Sequence, residues 1–473
     1  MKIHNTLTRR KEEFTPIEDG KIRMYVCGPT VYDYMHIGNA RPLVVFDTFR
    51  RYMTYRGYDV KYVVNFTDVD DKIINKAIEE NITTKEVSDK YIKAYMEDAR
   101  DLNIDEDNTI HPRATEVMDD IIAFVKGLVD KGVAYESDGD VYFDVSKAYD
   151  YGKLSGKNIE DLISGASNRL DDKDRAKKKS PVDFALWKKT KLDGEVSWQS
   201  PWGEGRPGWH IECSTMSKKI LGETIDIHAG GEDLEFPHHE NEIAQSEGLN
   251  EKTFANYWMH NGMIQVDGTK MSKSLGNFFT LRDIKEEYDL GIIRFYLLTT
   301  NYRQPINFTR EIIEQAKASL QRLTNAYFKL EELIENAEDK AESDEEKAME
   351  KDLEAFKERF IEVMDDDLNT ADGITVLFDM AKFINTKPDQ ESSREFLEKV
   401  FALYKDLFSV LGLVAKKKEN SDIDVETIER LIEERNLAKK AKNYDLADKI
   451  RDDLSAMGVR IQDSRDGVKW ELM

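Results

Sequence analysis

Ile22-Arg23-Met24-Tyr25-Val26-Cys27-Gly28-Pro29-Thr30, followed closely by Met35-His36-Ile37-Gly38-Asn39-Ala40-Arg41, is the stretch whose reading decides the fold. Ile22 to Val26 is a short apolar run that reads as a buried strand, and Gly28-Pro29 ends it in a turn. From Arg41 to Tyr55 the spacing becomes helical, with Leu43, Val44, Phe46, Phe49 and Tyr52 distributed around its faces. Lys61 to Phe66 reads as a second strand, ending at Thr67-Asp68, and Asp70 to Glu80 and Lys85 to Asp101 read as two further helices. This order of strand, turn, helix, strand and helix begins a parallel, doubly wound sheet of the Rossmann-like kind. In such a sheet a helix start offers free backbone N–H groups and a positive dipole end to phosphates. A glycine there, Gly38, admits a nucleotide close to the backbone, and His36 is able to donate to a phosphoryl oxygen. By itself a His-x-Gly at a helix start reads equally as turn chemistry.

Outward from this unit the pattern changes. Thr115 to Lys131 reads as a helix, with short strands near Val133-Tyr135 and Val141-Asp144 and then a Gly/Ser/Lys-rich loop up to Ser180-Pro181. That is the pattern of an insertion dividing the sheet. Parallel-sheet character resumes with Thr224-Ile225-Asp226-Ile227-His228, running into Ala229-Gly230-Gly231. After about residue 305 the chain reads as helical, with an acidic hinge over Glu335 to Glu350; Asp424 to Met457 gives two more helices, and Val459 to Leu472 a hairpin. The expected organisation is a catalytic domain in two halves (1–114 and 196–265), an inserted connective domain (115–195), a loop and stem-contact region (266–305), an all-α bundle (306–415) and a small C-terminal α+β domain (416–473). No internal repeat is visible.

The composition is that of a globular protein: 473 residues, 40% hydrophobic and 34% charged. No apolar signal core follows Met1, and no apolar run approaches the ~18 residues of a membrane helix. Two cysteines in so long a chain favour a reducing cytoplasm over a disulfide framework. The net charge of −24 argues against a general nucleic-acid coat. It leaves local RNA contacts open, because Arg435 to Arg451 sets six basic residues against Asp445 and Asp448, a local balance of +4.

The two cysteines lie far apart. Cys27 ends the first strand, and Cys213 stands in Trp209-His210-Ile211-Glu212-Cys213. Shortly after comes Phe236-Pro237-His238-His239-Glu240-Asn241-Glu242, where His238 and Glu242 are four apart and share a face if the stretch is helical. Two thiolates, an imidazole and a carboxylate suit zinc. The same residues also read as two buried thiols and a surface His/Glu pair, or as a Cys27–Cys213 bridge, and the residues alone leave these alternatives open.

Lys270-Met271-Ser272-Lys273-Ser274 supplies two lysines on a small-residue loop, suited to closing over a polyphosphate and neutralising its growing charge. Paired in this order with His36-Ile37-Gly38-Asn39, it resembles the two ATP-binding signatures of class I aminoacyl-tRNA synthetases. The surroundings resemble the cysteinyl-tRNA synthetase family in particular: Tyr25 to Asp33, Asn65-Phe66-Thr67-Asp68-Val69-Asp70-Asp71-Lys72, Ser180 to Lys188, Gly205 to Ser214, Phe236 to Glu242 and Met364 to Thr370. The likeness spans essentially the whole chain. One departure is Asn39, which stands where class I signatures more generally have His; it retains a hydrogen-bond donor.

The resemblance implies a ligase that forms a carbon–oxygen bond. It would join L-cysteine to its cognate tRNA through cysteinyl-adenylate, with ATP and Mg2+. It also implies a zinc ion held by Cys27, Cys213, His238 and Glu242 that selects cysteine over serine. His36, Asn39, Lys270 and Lys273 would stabilise the reacting phosphates, beside Gly38. Gly28, Thr67, Trp209 and His228 would surround the amino acid, and Gly230, Gly231 and Asp233 the adenosine. The helical region and the basic C-terminal segment would hold the tRNA, with Arg460 and Trp470 as candidate anticodon contacts, in a monomeric cytoplasmic enzyme. A ligase with a small amine acceptor would share the pocket but would not need the Arg435 to Trp470 segment.

Overall fold

A computed structural model describes residues 1–160, 177–190, 195–270, 278–417, 425–440, 443–456, 459–464 and 467–472. The chain opens with a short antiparallel pair, β1 (Lys2–Asn5) and β2 (Arg10–Glu13). It then builds the expected parallel unit: β3 (Lys21–Val26), α1 (Ile37–Tyr55), β4 (Asp59–Val64), α2 (Asp71–Glu80), α3 (Thr84–Asp101) and β5 (Thr109–Ile110). The helix α4 (Met118–Asp130) leads to an antiparallel sheet of β6 (Ala134–Ser137), β7 (Asp140–Phe143), β8 (Phe184–Lys189) and β9 (Gly205–Pro207). The chain returns through α5 (Trp209–Leu221), β10 (Ile225–Gly231), α6 (Glu240–Asn250) and β11 (Ala255–Asn261).

The main sheet has the order β11-β10-β3-β4-β5, and every pairing in it is parallel. From β3 the chain moves one way to β4 and β5, and later the other way to β10 and β11. The strand order therefore reverses between β3 and β10, and the crevice beyond their carboxyl ends is where a doubly wound sheet receives ligands. Val26 pairs with Ala229 and Val64, so Cys27 and Gly230-Gly231 emerge side by side at that crevice. A small sheet follows from β12 (Ile264–Val266), β13 (Thr269–Lys270) and β14 (Ile306–Phe308), with the short helix α7 (Leu281–Lys285) and α8 (Leu290–Leu298) between β13 and β14. The helical region is α9 (Arg310–Asn336), α10 (Asp344–Asp365), α11 (Thr370–Thr386) and α12 (Arg394–Val410).

Several boundaries differ from the sequence reading, each for a local reason. The first helix starts at Ile37 rather than Arg41, because His36 and Asn39 form a reciprocal capping box. The second strand ends at Val64, since the Asn65 side chain accepts from the Gly28 N–H (2.9 Å) and Thr67 pairs with the turn after β3. The acidic hinge is only 337–343: Ser343 caps α10 and boxes with Glu346, and Asp344, Glu345 and Glu346 suit the positive end of the helix they begin. Residues 161–176 of the Gly/Ser/Lys-rich loop lie outside the described residues. So do Met271 to Asn277, hence Lys273, and the Lys270 side chain.

By contacts the chain divides into two compact units, Met1–Val414 and Ala415–Met473. In the second, α13 (Val425–Lys440), α14 (Tyr444–Ala456) and the hairpin β15 (Val459–Ser464) and β16 (Gly467–Leu472) enclose Ile428, Ile432, Ile450, Leu454 and Val459. Trp470 is partly buried and packs against that cluster with Val468, two residues away on the same strand face. The Arg460 side chain lies outside the described residues. No described helix is long and apolar enough to cross a membrane.

One buried ion-pair cluster joins the sheet half to the helices. Asp47 on α1 meets Arg294 of α8 at 2.6 Å, Arg51 at 2.8 Å and Arg50 at 3.1 Å. Arg294 also donates to the carbonyls of Leu411 and Leu102. Burial pushes the Asp47 carboxyl up, but the three guanidinium charges outweigh it and hold it at about 2. A carboxyl held below its unfolded value of about 3.9 adds stability that is whole above pH ~4 and is lost as the pH falls towards 2. Asp47→Asn strands Arg294 and is expected to cost about 3–5 kcal/mol near neutrality. In unfolding experiments the gap to the parent protein should narrow between pH 4 and 2; a gap independent of pH would contradict this account.

Candidate active site and metal centre

Four side chains from three segments converge at the mouth of the sheet. Cys27 follows β3 directly, Cys213 lies on α5, and His238 and Glu242 straddle the junction between a π-helical turn (Glu235–His239) and α6. Their donor atoms lie within 4.8 Å of one another, and all four residues are buried. Glu242 is the hinge of the group: Cys27 Sγ donates to its Oε1 at 3.2 Å and His238 Nε2 lies 3.0 Å from the same oxygen. Both cysteines are free thiols, so no bridge joins them.

The donor set fits a zinc ion. Tetrahedral ligands at about 2.0–2.3 Å from a metal stand roughly 3.3–3.8 Å apart, close to the spacing here, and two sulfurs with one nitrogen and one oxygen are ordinary zinc donors. A second grouping of Cys27, His228, His239 and Glu242 is also close-set. It offers one thiol instead of two, and His239 Nδ1 is engaged with His260 Nε2 at 2.8 Å. The first grouping is therefore the better zinc site.

Without a metal, protons hold the cluster together. Burial pushes the Glu242 carboxyl up, but His228 and His238 outweigh it and bring it to about 2. Burial pushes His238 down, and Glu242 more than reverses this, to about 10. Hydrogen bonding from Cys27 takes the Cys213 thiol down to about 6, while burial and its partner raise Cys27. One thiolate and one carboxylate are thus already favoured, as a cation site requires.

A cleft of about 510 Å³ runs from this cluster to the start of α1; its walls include Cys27, Gly28, Trp209, Gly38, Asn39 and Asp233. A side chain at Gly28 would strike the Asn65 carbonyl oxygen at 1.8 Å, so only glycine allows the turn to lie against that loop. Trp209 opens α5 and is 38% exposed, with its ring 4.2 Å from that of His238. His36, which also lines the cleft, caps α1, and its backbone N–H donates to Asn39 Oδ1 at 3.3 Å. Gly231 closes the opposite wall beside Asp233.

Two residues read from the sequence as substrate contacts are buried beside the cleft. His228 is fully buried, bonds Glu242 Oε2 at 2.9 Å and stacks on Trp258, so it supports a cluster residue. Thr67 is 1% exposed and pairs through its backbone with the loop after β3. Gly230 lies against the His239 ring and Leu234. Sequence reading passed over His210 and Asn65. His210 Nδ1 meets His238 Nδ1 at 2.9 Å, and Asn65 Oδ1 lies 3.7 Å from Cys213 Sγ. Both stand inside the quoted motifs, but nothing in their spacing marks them as neighbours of the cluster.

Cys213→Ala removes one donor and leaves three. Bound zinc, measured by elemental analysis after dialysis against a weak chelator, is expected to fall from about one per chain to a small fraction, in line with the 10–100-fold or greater affinity losses that follow even outer-contact changes. Full zinc retention would exclude Cys213 as a ligand.

Residues 13–318 match the family described as "tRNA synthetases class I (C) catalytic domain", and residues 359–416 match the "DALR domain". The chain is 56% identical over 471 residues to the cysteine–tRNA ligase of Finegoldia magna, covering 100% of this chain and 99% of that protein. It is 55% identical over 471 residues to the cysteine–tRNA ligase of Clostridioides difficile, covering both chains in full (100% each). Among solved structures it is similar to methionyl-tRNA synthetase of Mycobacterium tuberculosis in complex with methionyl-adenylate (TM-score 0.59, 15% identity, 83% of this chain and 89% of that one). It is likewise similar to a leucyl-tRNA synthetase of Agrobacterium radiobacter in a ternary complex (TM-score 0.59, 12% identity, 85% of each chain), and at such identities these two show the shared fold alone. With a catalytic-domain match over most of its length, and relatives more than half identical from end to end, the chain belongs to the cysteine–tRNA ligase family of class I aminoacyl-tRNA synthetases.

Proposed function

We propose that Cys27, Cys213, His238 and Glu242 hold a zinc ion and that this centre reads the side chain of the cysteine substrate. The observation that supports the reading is one cleft lined at one end by Cys27, a member of the buried four-donor cluster, and at the other by the start of α1. When bound, zinc offers a soft sulfur a ligand position that a serine hydroxyl fills poorly.

The reaction is that of a cysteine–tRNA ligase. The cysteine carboxylate attacks the α-phosphorus of ATP and pyrophosphate leaves with the P–O bond that breaks. A hydroxyl of the terminal ribose of the tRNA then attacks the activated carbonyl, and AMP departs. No side chain acts as nucleophile. In our reading the backbone N–H groups that begin α1, with His36 and Asn39, face the phosphates, and Mg2+ accompanies ATP. Lys270 and Lys273 neutralise the charge that grows as pyrophosphate leaves. Trp209 closes the amino-acid end, and Gly231 and Asp233 bound the adenosine side. Residues 306–415 and 416–473 would carry the tRNA contacts, and the enzyme would act as a cytoplasmic monomer.

The direct test is cysteine-dependent ATP–pyrophosphate exchange, with serine in parallel, before and after zinc removal. Exchange with cysteine alone, lost on chelation and restored by zinc, is the expected outcome. Equal exchange with serine would remove zinc as the selecting element. Lys273→Ala is expected to cost roughly 3 kcal/mol of transition-state stabilisation in the same assay, by analogy with loss of one charge-stabilising donor. Unchanged exchange would dismiss that lysine.

A further inference from the structure

Arg41 is among the largest fully buried side chains of the protein, yet no described carboxylate pairs with it. Its two Nη groups are met by main-chain carbonyls of two distant loops, while its buried Nε has no partner among the described residues. Nη1 donates to Gly262 at 2.6 Å and to Met263 at 3.0 Å. Nη2 donates to Gln304 and, at 3.5 Å, to Asn301. Burial lowers its pKa to about 10, so the group stays charged at neutral pH. Burying a charge is expensive even with the Glu232 carboxylate near enough to favour it, and a planar fork with two Nη groups suits carbonyls arriving from separate segments where a lysine does not.

The position of these carbonyls gives the contact its meaning. Gly38, Asn39 and Pro42, which flank Arg41 on α1, form one wall of the cleft, and Gly262 and Met263 form the facing wall. The second loop, 301–304, backs the first: Gly262 donates to the Tyr302 carbonyl at 2.9 Å, and a side chain at Gly262 would meet Gln304 main-chain atoms at 2.7 Å. That backing loop is held from the other side by Asp367, which accepts from Arg303 Nε and Tyr302 Oη, each at 2.9 Å. Arg41 is thus the cross-tie that sets the distance between the helix start and the wall opposite.

We propose that Arg41 is a positioning residue for the nucleotide: it fixes the Gly262–Met263 wall against the start of α1 and so sets the width of the ATP end of the cleft. This rests on the reading that ATP occupies that end. The residue touches no substrate and acts through two main-chain loops. Its loss should therefore disturb ATP while leaving the cysteine end, built on Cys27, Cys213, His238 and Glu242, undisturbed. A residue that served only to hold the fold together would lower the unfolding midpoint and the active fraction, and would leave both Michaelis constants alone.

Two variants of the full-length protein approach the contact from opposite sides. R41K keeps the charge but loses the fork; G262A keeps the fork but pushes the wall off the backing loop. In ATP–pyrophosphate exchange each is expected to lower kcat/KM for ATP by about 100-fold, the scale on which a misplacement of about 1 Å acts. Much of the loss should fall in KM for ATP, with KM for cysteine and zinc content unchanged. Parental KM for ATP in either folded variant, or a parallel rise in KM for cysteine, overturns the proposal. If R41K does not fold, G262A decides alone by the same criteria. Failure of the parental protein to exchange at all would instead overturn the reading of the site, and this proposal with it.

Discussion

A fully buried carboxylate, Glu242, is the constraint from which the site is built. Its Oε1 lies against Cys27 Sγ and His238 Nε2, and its Oε2 against His228 Nε2. A charge in the protein interior is tolerated only when every lone pair finds a partner. The chain must therefore bring the end of β3, the middle of β10 and the turn before α6 to one point. That requirement fixes α6 across the carboxyl ends of the sheet, and with it the side from which substrates enter. Gln245, one turn along α6, extends the anchorage by donating to Ser214 Oγ and to the His210 carbonyl on α5.

The parallel order of the sheet then separates two kinds of chemistry. At the switch between β3 and β10 Cys27 brings the four-donor cluster to the strand end, while the start of α1, the proposed phosphate site, lies further along the loop from β3. The bond-making atoms must sit between them, because cysteine offers its carboxylate at the opposite end from its thiol. The cleft therefore has to hold two anchoring points at a set separation. Strands and a helix supply that rigidity better than loops do. Where loops form the wall, at 262–263 and 301–304, the structure ties them down with a buried guanidinium.

What was legible in the sequence follows the range of the interactions. The strand-turn-helix order of β3 and α1 could be read from periodicity because it is local, and so could the capped acidic start of α10 once Ser343 and Glu346 are seen as a box. The long motifs named the family and grouped the cluster residues, although no spacing alone required Cys27 and Cys213 to meet. The surroundings of His228 were not legible, because the register opposite Tyr25 that stacks its ring on Trp258 is a long-range pairing. Arg41 gave no signal at all. An arginine on an amphipathic helix reads as solvated, and its partners lie 221 and 263 residues away. For Trp470 strand alternation adds what composition could not show, a place beside Val468 against the core of its own unit.

The histidines around the cluster also explain how a cation site survives among so many imidazoles. Protonated, His210, His239 and His260 would repel a metal ion. Burial lowers His210 and His239 well below the usual imidazole range and takes His260 to about 3, with the neighbouring imidazoles adding to the effect. At neutral pH they are uncharged hydrogen-bond partners that set tautomers and orient rings. His260 Nδ1 rests on Thr6 Oγ1, and His239 in turn rests on His260. His238, by contrast, is held protonated by Glu242. A metal binding at the cluster would displace the His238 proton together with that of the Cys27 thiol, while His210, His239 and His260 need not titrate. The apolar burial that makes an unpaired charge so costly here is also what keeps the surroundings of the cluster neutral.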